Sequence, residues 1–248
     1  MRQNDSMLKA FRLMIIFLGL QSTAMAYEME DVQRIDFQIR DPKTQELYFH
    51  GIEIFGTVSD RIRKETFYYD SDKKEVQYED TLYEPKSLRV YDYIFRNSVT
   101  GEETFLKTEG EMAQVRYRAK SGQPFKSGSI PWGVATYHGK VFNNLVLRNW
   151  ESLLRGKALK FDLLLPFRFE TIGFQIVHSK SHTVDGEARE VFVVQPQNIL
   201  VRALAPRMEM QYTRGSKPRI RVFTGPFTSP VKGESDKILD ISFTYPAG

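Results

Sequence analysis

Leu159-Lys-Phe-Asp-Leu-Leu-Leu-Pro-Phe-Arg-Phe-Glu170 carries the plainest structural signal in the chain. Leu159, Phe161, Leu163, Leu165, Phe167 and Phe169 fall on one side, against Lys160, Asp162, Leu164, Pro166, Arg168 and Glu170 on the other. A period of two over such a run predicts a long strand, about 40 Å if straight. Pro166 lacks a ladder N–H, which predicts an edge position or a bulge there. Ile172, Phe174 and Ile176 continue the alternation once Gly173 permits a bend.

Just upstream the period changes. Phe142, Leu145, Val146, Trp150, Leu153 and Leu154 recur at three- and four-residue spacing, which predicts one amphipathic helix. Asn143 or Asn144 is the expected cap, Glu151 and Arg155 are an i,i+4 pair, and Gly156 ends the helix. Trp150 is its largest apolar side chain. A lone helix in a β-rich chain is expected to pack against, or inside, the sheet.

Further upstream, Gln45–Val58 and Ser87–Arg96 alternate with apolar residues on both faces. Leu47, Phe49 and Phe55 oppose Tyr48, Ile52 and Ile54; Tyr91, Tyr93 and Phe95 oppose Leu88, Val90 and Ile94. Asp70–Lys74, Asn97–Gly101 and Glu109-Gly110 read as hairpin turns. The Gly-, Pro- and Ser-rich stretch Gly122–Gly139 reads as a surface loop over the sheet. Downstream, Asp185-Gly186 turns the chain into Glu190–Val194, Gln197–Leu204 is a short helix, and Arg207–Tyr212, Arg219–Phe223 and Lys237–Tyr245 close the sheet.

The 248 residues include 18 Phe, 12 Tyr and 2 Trp, so 13% are aromatic, a bias toward strands. Residues 1–26 read as a secretory signal peptide: Lys9 and Arg12 precede the apolar run Leu13–Leu20, and Ala24-Met-Ala26 is a small-x-small cleavage site. Translation from Met7 would fit the pattern better than from Met1. Removing the leader takes Arg2, Lys9, Arg12 and Asp5 with it, lowering the formal charge from +4 to +2 for a single domain of residues 27–248. So small a charge argues against nucleic acid as a partner. With no cysteine, there are no disulfides and no thiolate chemistry.

Catalytic chemistry finds no anchor. No Gly-x-Ser-x-Gly elbow and no phosphate-binding Gly loop occurs, and the adjacent carboxylates Glu79-Asp80 and Glu102-Glu103 point to opposite faces of their strands. His178 and His182 would lie on one strand face roughly 13 Å apart, too far for one ion. Arg61–Lys64, Arg116-Tyr-Arg118 and Arg214–Arg221 read as solvated strand ends. The expectation is therefore no enzyme, no cofactor and no metal.

The string Asn149-Trp-Glu-Ser-Leu-Leu-Arg-Gly-Lys-Ala-Leu-Lys-Phe-Asp-Leu-Leu-Leu-Pro166, with Pro196–Pro206 and Phe223-Thr-Gly-Pro226, resembles segments of uncharacterised bacterial exported proteins. The wider pattern resembles the LolA/LolB type. That resemblance implies a mainly β fold: a curled antiparallel sheet, an unclosed barrel, packed around one main helix. It also implies a periplasmic binding or carrier protein for a lipid or other hydrophobic ligand. Trp150, Leu153, Phe161, Leu163, Leu165, Phe167 and Phe174 are the expected helix–sheet and groove-lining residues. Two alternatives stand beside it. One is a small outer-membrane β-barrel, with Leu239, Ile241, Phe243 and Tyr245 as its last strand. The other is an envelope structural protein with a filled core and a protein partner.

Overall fold

The computed structural model describes residues 29–205, 207–227 and 237–246, so the predicted leader lies outside the described residues. The first meander comprises β1 (Glu30–Arg40), β2 (Leu47–Val58), β3 (Arg61–Tyr69), β4 (Glu75–Tyr83), β5 (Val90–Asn97), β6 (Glu103–Glu109), β7 (Met112–Arg118) and β8 (Lys126–Pro131). A short β9 (Thr136–His138) leads through a 3-10 turn into helices α1 (Phe142–Arg148) and α2 (Trp150–Leu154). The second meander follows as β10 (Leu159–Leu165), β11 (Glu170–Val184), β12 (Glu187–Pro196), helix α3 (Ile199–Leu204), β13 (Met208–Thr213), β14 (Ile220–Phe227) and β15 (Lys237–Thr244).

All these strands join one sheet in the order β8-β7-β6-β5-β4-β3-β2-β1-β15-β14-β13-β12-β11-β10-β9. The pairing of β1 with β15 joins the meanders, Ile39 opposite Ile241. Every pair is antiparallel except β9 with β10. The outermost strands β8 and β9 are consecutive in sequence, and Pro131 is five residues from Thr136, so the two edges come within about 18 Å. The linker is tied to each side: Trp132 N–H donates to Glu111 O at 2.8 Å, and Asp162 N–H donates to Ala135 O at 2.9 Å. The sheet therefore curls until its ends nearly meet, without closing a ladder.

The helix fills the curl. Val141, Phe142, Leu145, Val146 and Leu153 are buried in one cluster with Tyr93, Leu106, Val115 and Ile130 from the first meander and Phe161, Phe174, Val194 and Tyr212 from the second. Phe142 meets Phe161 edge-on at 5.4 Å, and Trp150 packs on Phe192 at 5.1 Å and Tyr212 at 5.5 Å. A smaller cluster of Phe37, Ile39, Tyr68, Val76, Phe227 and Leu239 sits where the meanders join.

Several local expectations are corrected. The long strand is a hairpin: β10 ends at Leu165, Pro166–Arg168 forms a 3-10 turn, Phe169 takes φ +57°, and Leu165 faces Glu170 across the ladder. The missing N–H and fixed φ of Pro166 start the turn, so the reversal falls there and not at Gly173. The helix breaks at Asn149, whose side-chain amide donates to Leu145 O at 2.9 Å. Asn143 and Asn144 lie inside α1, and its cap position, Val141, makes no side-chain capping bond. Among the described residues Glu151 and Arg155 form no ion pair, and Trp150 is only partly buried, whereas Leu145, Val146 and Leu153 are fully so. The Gly-, Pro- and Ser-rich stretch contains β8 and β9, the two edges, rather than a loop. Leu88, buried at φ +60°, belongs to the turn before β5 and not to the strand.

Candidate functional site

Strand register decides what the sheet shows on its outer side. Tyr93, Phe95, Leu106, Val115 and Ile130 point inward to the helix. Alternation sends their neighbours the other way, and the pairings align those neighbours in rows. One row runs Arg63–Leu82–Asp92–Lys107–Gln114–Ser129 from β3 to β8. The next runs Glu65–Asp80–Ile94–Phe105–Arg116–Ser127. A bulge in β5 leaves Tyr91 as an extra residue opposite the Leu82–Tyr83 step of β4, so Tyr91 does not share a face with Tyr93 as strict alternation predicts.

These rows floor an open trough of about 1440 Å³, bounded by the β2–β3 turn at Ser59-Asp60 and by β8 at the far side. Five inter-strand spacings make it about 24 Å long across the strands. Leu82, Ile94 and Phe105 give it a half-buried apolar strip. Its charges are mostly paired. Arg63 grips Asp80 with two hydrogen bonds, 3.1 and 2.7 Å. Arg61 lies 3.8 Å over the Tyr91 ring and 3.9 Å from Asp60, and Lys107 meets Glu109 at 2.9 Å. Burial raises the Asp92 carboxyl above its ordinary value, over the opposing pull of Lys107 and Arg61. Arg116 is different: its guanidinium rests 4.8 Å over Phe125 and 6.0 Å over Phe105, with no carboxylate in ion-pair reach among the described residues.

A second constellation is buried inside. Glu79 of β4 receives Lys140 Nζ at 2.6 Å, Tyr68 Oη at 2.7 Å, Tyr93 Oη at 3.0 Å and Gln77 Nε2 at 3.0 Å. Burial alone would raise this carboxyl, but Lys140 and the two hydroxyls bring it below its ordinary value. Lys64 Nζ donates to Lys140 O at 2.7 Å, and the His138 ring packs tilted against Tyr93, centroids 4.2 Å apart. The His138 ring is pushed down to about 3 by burial and by the cations Lys140 and Lys64, against Glu79. This cluster ties the entry to α1 onto the sheet, and Glu79 takes four bonds from within it, so it serves as an anchor.

The predicted groove residues sit chiefly in the core. Leu153, Phe161, Leu163 and Phe174 are buried around the helix, Trp150 and Leu165 are partly buried, and Phe167 is 48% exposed on the turn of the β10–β11 hairpin. None of them borders the trough. The sequence alone does not mark Leu82 or Phe105, and it gives Ile94 only as part of a two-faced strand. That two-faced pattern is the signal that could have found them: one face packs on the helix, and the other floors the trough.

The histidines also differ from expectation. A bulge between His178 and Lys180 flips the parity, so His178 and Ser181 share a face and both reach the buried Glu190, at 2.7 and 2.6 Å. His182 therefore falls on the other face. Among the described residues no group of three or more His, Asp or Glu side chains is arranged to hold a metal ion.

No protein-family model and no curated protein matches the chain. Among solved structures, the chain is similar to a β-barrel-like protein of domain of unknown function DUF1849 from Brucella abortus. The TM-score is 0.46 at 10% identity, over 87% of this chain and 95% of that one. A likeness at that level carries no argument about function.

Proposed function

We propose that this is a non-catalytic binding protein that carries a lipid or another hydrophobic molecule, exported to the bacterial periplasm by the leader at residues 1–26. The observation that carries the reading is the outer trough, an apolar strip of Leu82, Ile94 and Phe105 recessed between charged walls. Ligand sites combine such apolar lining with a few polar groups that set orientation. Because the helix occupies the interior, the reading puts the ligand on the outer face of β3–β8 and not between helix and sheet. The resemblance to LolA/LolB proteins supports the same ligand class. An outer-membrane barrel fits poorly: among the described residues the sheet keeps two unpaired edges, and Arg63, Asp80, Asp92, Lys107 and Arg116 lie on the side that would meet lipid.

The test is to express residues 27–248 with an export signal, purify without detergent, and examine native mass and an organic extract. The expected result is a stoichiometric apolar ligand that is lost in the folded variant Ile94→Glu. A protein that neither carries nor takes up lipid overturns the reading. A ligand retained unchanged by Ile94→Glu would move it out of the trough.

A further inference from the structure

We infer that the trough is directional and takes an anionic amphiphile: an oxyanion head group at Arg116 and Ser127, with its apolar chain over Phe105, Ile94 and Leu82. The inference rests on the trough being the ligand site. It adds the head-group chemistry and the orientation.

The argument is one of uncommitted charge. Arg63 is spent on Asp80, Lys107 on Glu109, and Arg61 lies on Tyr91 beside Asp60. Arg116 alone among the trough's cations faces the cavity with only aromatic faces beneath it. Stacking on Phe105 and Phe125 holds the guanidinium plane while its N–H groups stay free for a partner. Ser127, its directly paired neighbour on β8, adds a hydroxyl donor at the spacing of adjacent strands.

The surroundings reinforce the sign. Arg118 also lies 4.8 Å from the ring of Phe125, and Arg96 lies 5.7 Å from that of Phe105. The nearby carboxylate Glu103 is the ladder partner of both Arg96 and Arg118 and bonds Arg118 at 2.7 Å. One acid among three arginines leaves this end net positive. The opposite end sets Asp60, Asp80 and the partly desolvated Asp92 against Arg61, Arg63 and Lys107, so its charges are matched there. An anion would find no uncommitted cation at that end and would be drawn to the β7–β8 end. Phe105 is the hinge of the arrangement, since its ladder partner is Arg116 on one side and Ile94 on the other. Head and tail contacts are thus consecutive along one row.

The shared chemistry is an oxyanion on an apolar chain, and it could come from a fatty acid or from a lipid phosphate. Calorimetry on residues 27–248 separates them with three probes of equal chain length: dodecanoate, dodecyl phosphate and the neutral monododecanoyl glycerol. A charge-assisted contact predicts that at least one anionic probe binds roughly tenfold or more tightly than the neutral one. That preference should fall with added salt. Arg116→Gln, at an exposed position and checked for folding by its thermal transition, should bring the anionic probes down to the affinity of the neutral one. Whichever anionic probe binds tighter names the head group. Equal binding of all three probes overturns the head-group assignment and leaves the trough reading standing. A preference that survives Arg116→Gln overturns the role of Arg116. No binding of any chain-bearing probe by the folded protein overturns both this inference and the proposed function.

Discussion

Replacing His138 with asparagine should remove about 2 kcal/mol of acid sensitivity from the fold. The His138 ring is buried against Tyr93, and burial with Lys140 and Lys64 nearby pushes it down to about 3. An unfolded histidine titrates near 6.5. Between those values the unfolded chain binds a proton that the folded chain refuses, so stability falls as pH falls through that window. At pH 5 the unfolded ring is already about 1.5 units below its own pKa while the folded ring is still neutral, which is about 2 kcal/mol; at pH 7.5 the contribution vanishes. Asparagine keeps an acceptor for Lys140 N–H, which His138 Nδ1 holds at 3.4 Å, but carries no proton in this range.

The assay is chemical or thermal denaturation of both proteins at pH 7.5 and pH 5. Whatever the substitution costs in packing, it costs at both pH values and cancels in the comparison. The wild type should lose about 2 kcal/mol more than the variant on acidification, equivalent to about 4–8 °C in midpoint for a chain of this size. Glu79 does not confuse the result. Its carboxyl is held below the ordinary value, so its stabilisation is complete above the unfolded carboxylate pKa and is lost only as pH drops further, through the folded one. Equal acid losses in the two proteins would refute the reasoning, as would a His138 resonance that titrates near 6.

Other consequences follow from the same packing. Lys140→Met strands the buried Glu79 carboxylate and should cost about 3–5 kcal/mol, with much of it restored in the Glu79→Gln/Lys140→Met double variant; denaturant titration of single and double variants checks this. Leu153→Ala, at a fully buried site, should cost about 2–5 kcal/mol, while Phe167→Ser, half exposed on its turn, should cost under about 1 kcal/mol. In Gly128→Val the new Cβ would lie 2.7 Å from Phe169 Cδ1, where the β10–β11 hairpin packs onto β8. That variant should speed hydrogen exchange at β8 and at the hairpin turn, ahead of the rest of the sheet.

The strands with inward apolar residues could be read because burial writes a period of two into them, and the helix because its stripe recurs at three and four. What failed was direction and parity. The run from Leu159 to Glu170 alternates straight through a reversal: the four turn residues keep Leu165 opposite Glu170 and Phe161 opposite Phe174, so the pattern shows no break. Only Pro166 marked it. β8 hid in a Gly- and Ser-rich stretch because an edge strand needs backbone pairing on one side and, here, a single inward apolar anchor, Ile130. The bulge at His178–Lys180 adds one unpaired residue, which no local composition announces. The trough was legible only in part. A second apolar face on β5 was visible, but Phe105 becomes the neighbour of Ile94 and Arg116 only through the registers of β5, β6 and β7.

The filled interior also bears on where a ligand can go. An apolar chain entering the curl would have to displace α1 and α2, and the sheet's inner face would be covered equally well by either. The helical stripe would not. Val141, Phe142, Leu145, Val146 and Leu153 would return to water at about 1.5–3 kcal/mol each, or roughly 7–15 kcal/mol together, before the Lys140–Glu79 pair is broken. A micromolar ligand supplies only about 8 kcal/mol, so interior binding needs a new cover for the helix, whereas binding in the trough leaves the stripe where it is. Loading should therefore leave hydrogen exchange at the amides of Phe142–Leu154 unchanged. Faster exchange there on loading would place the ligand inside and refute the trough.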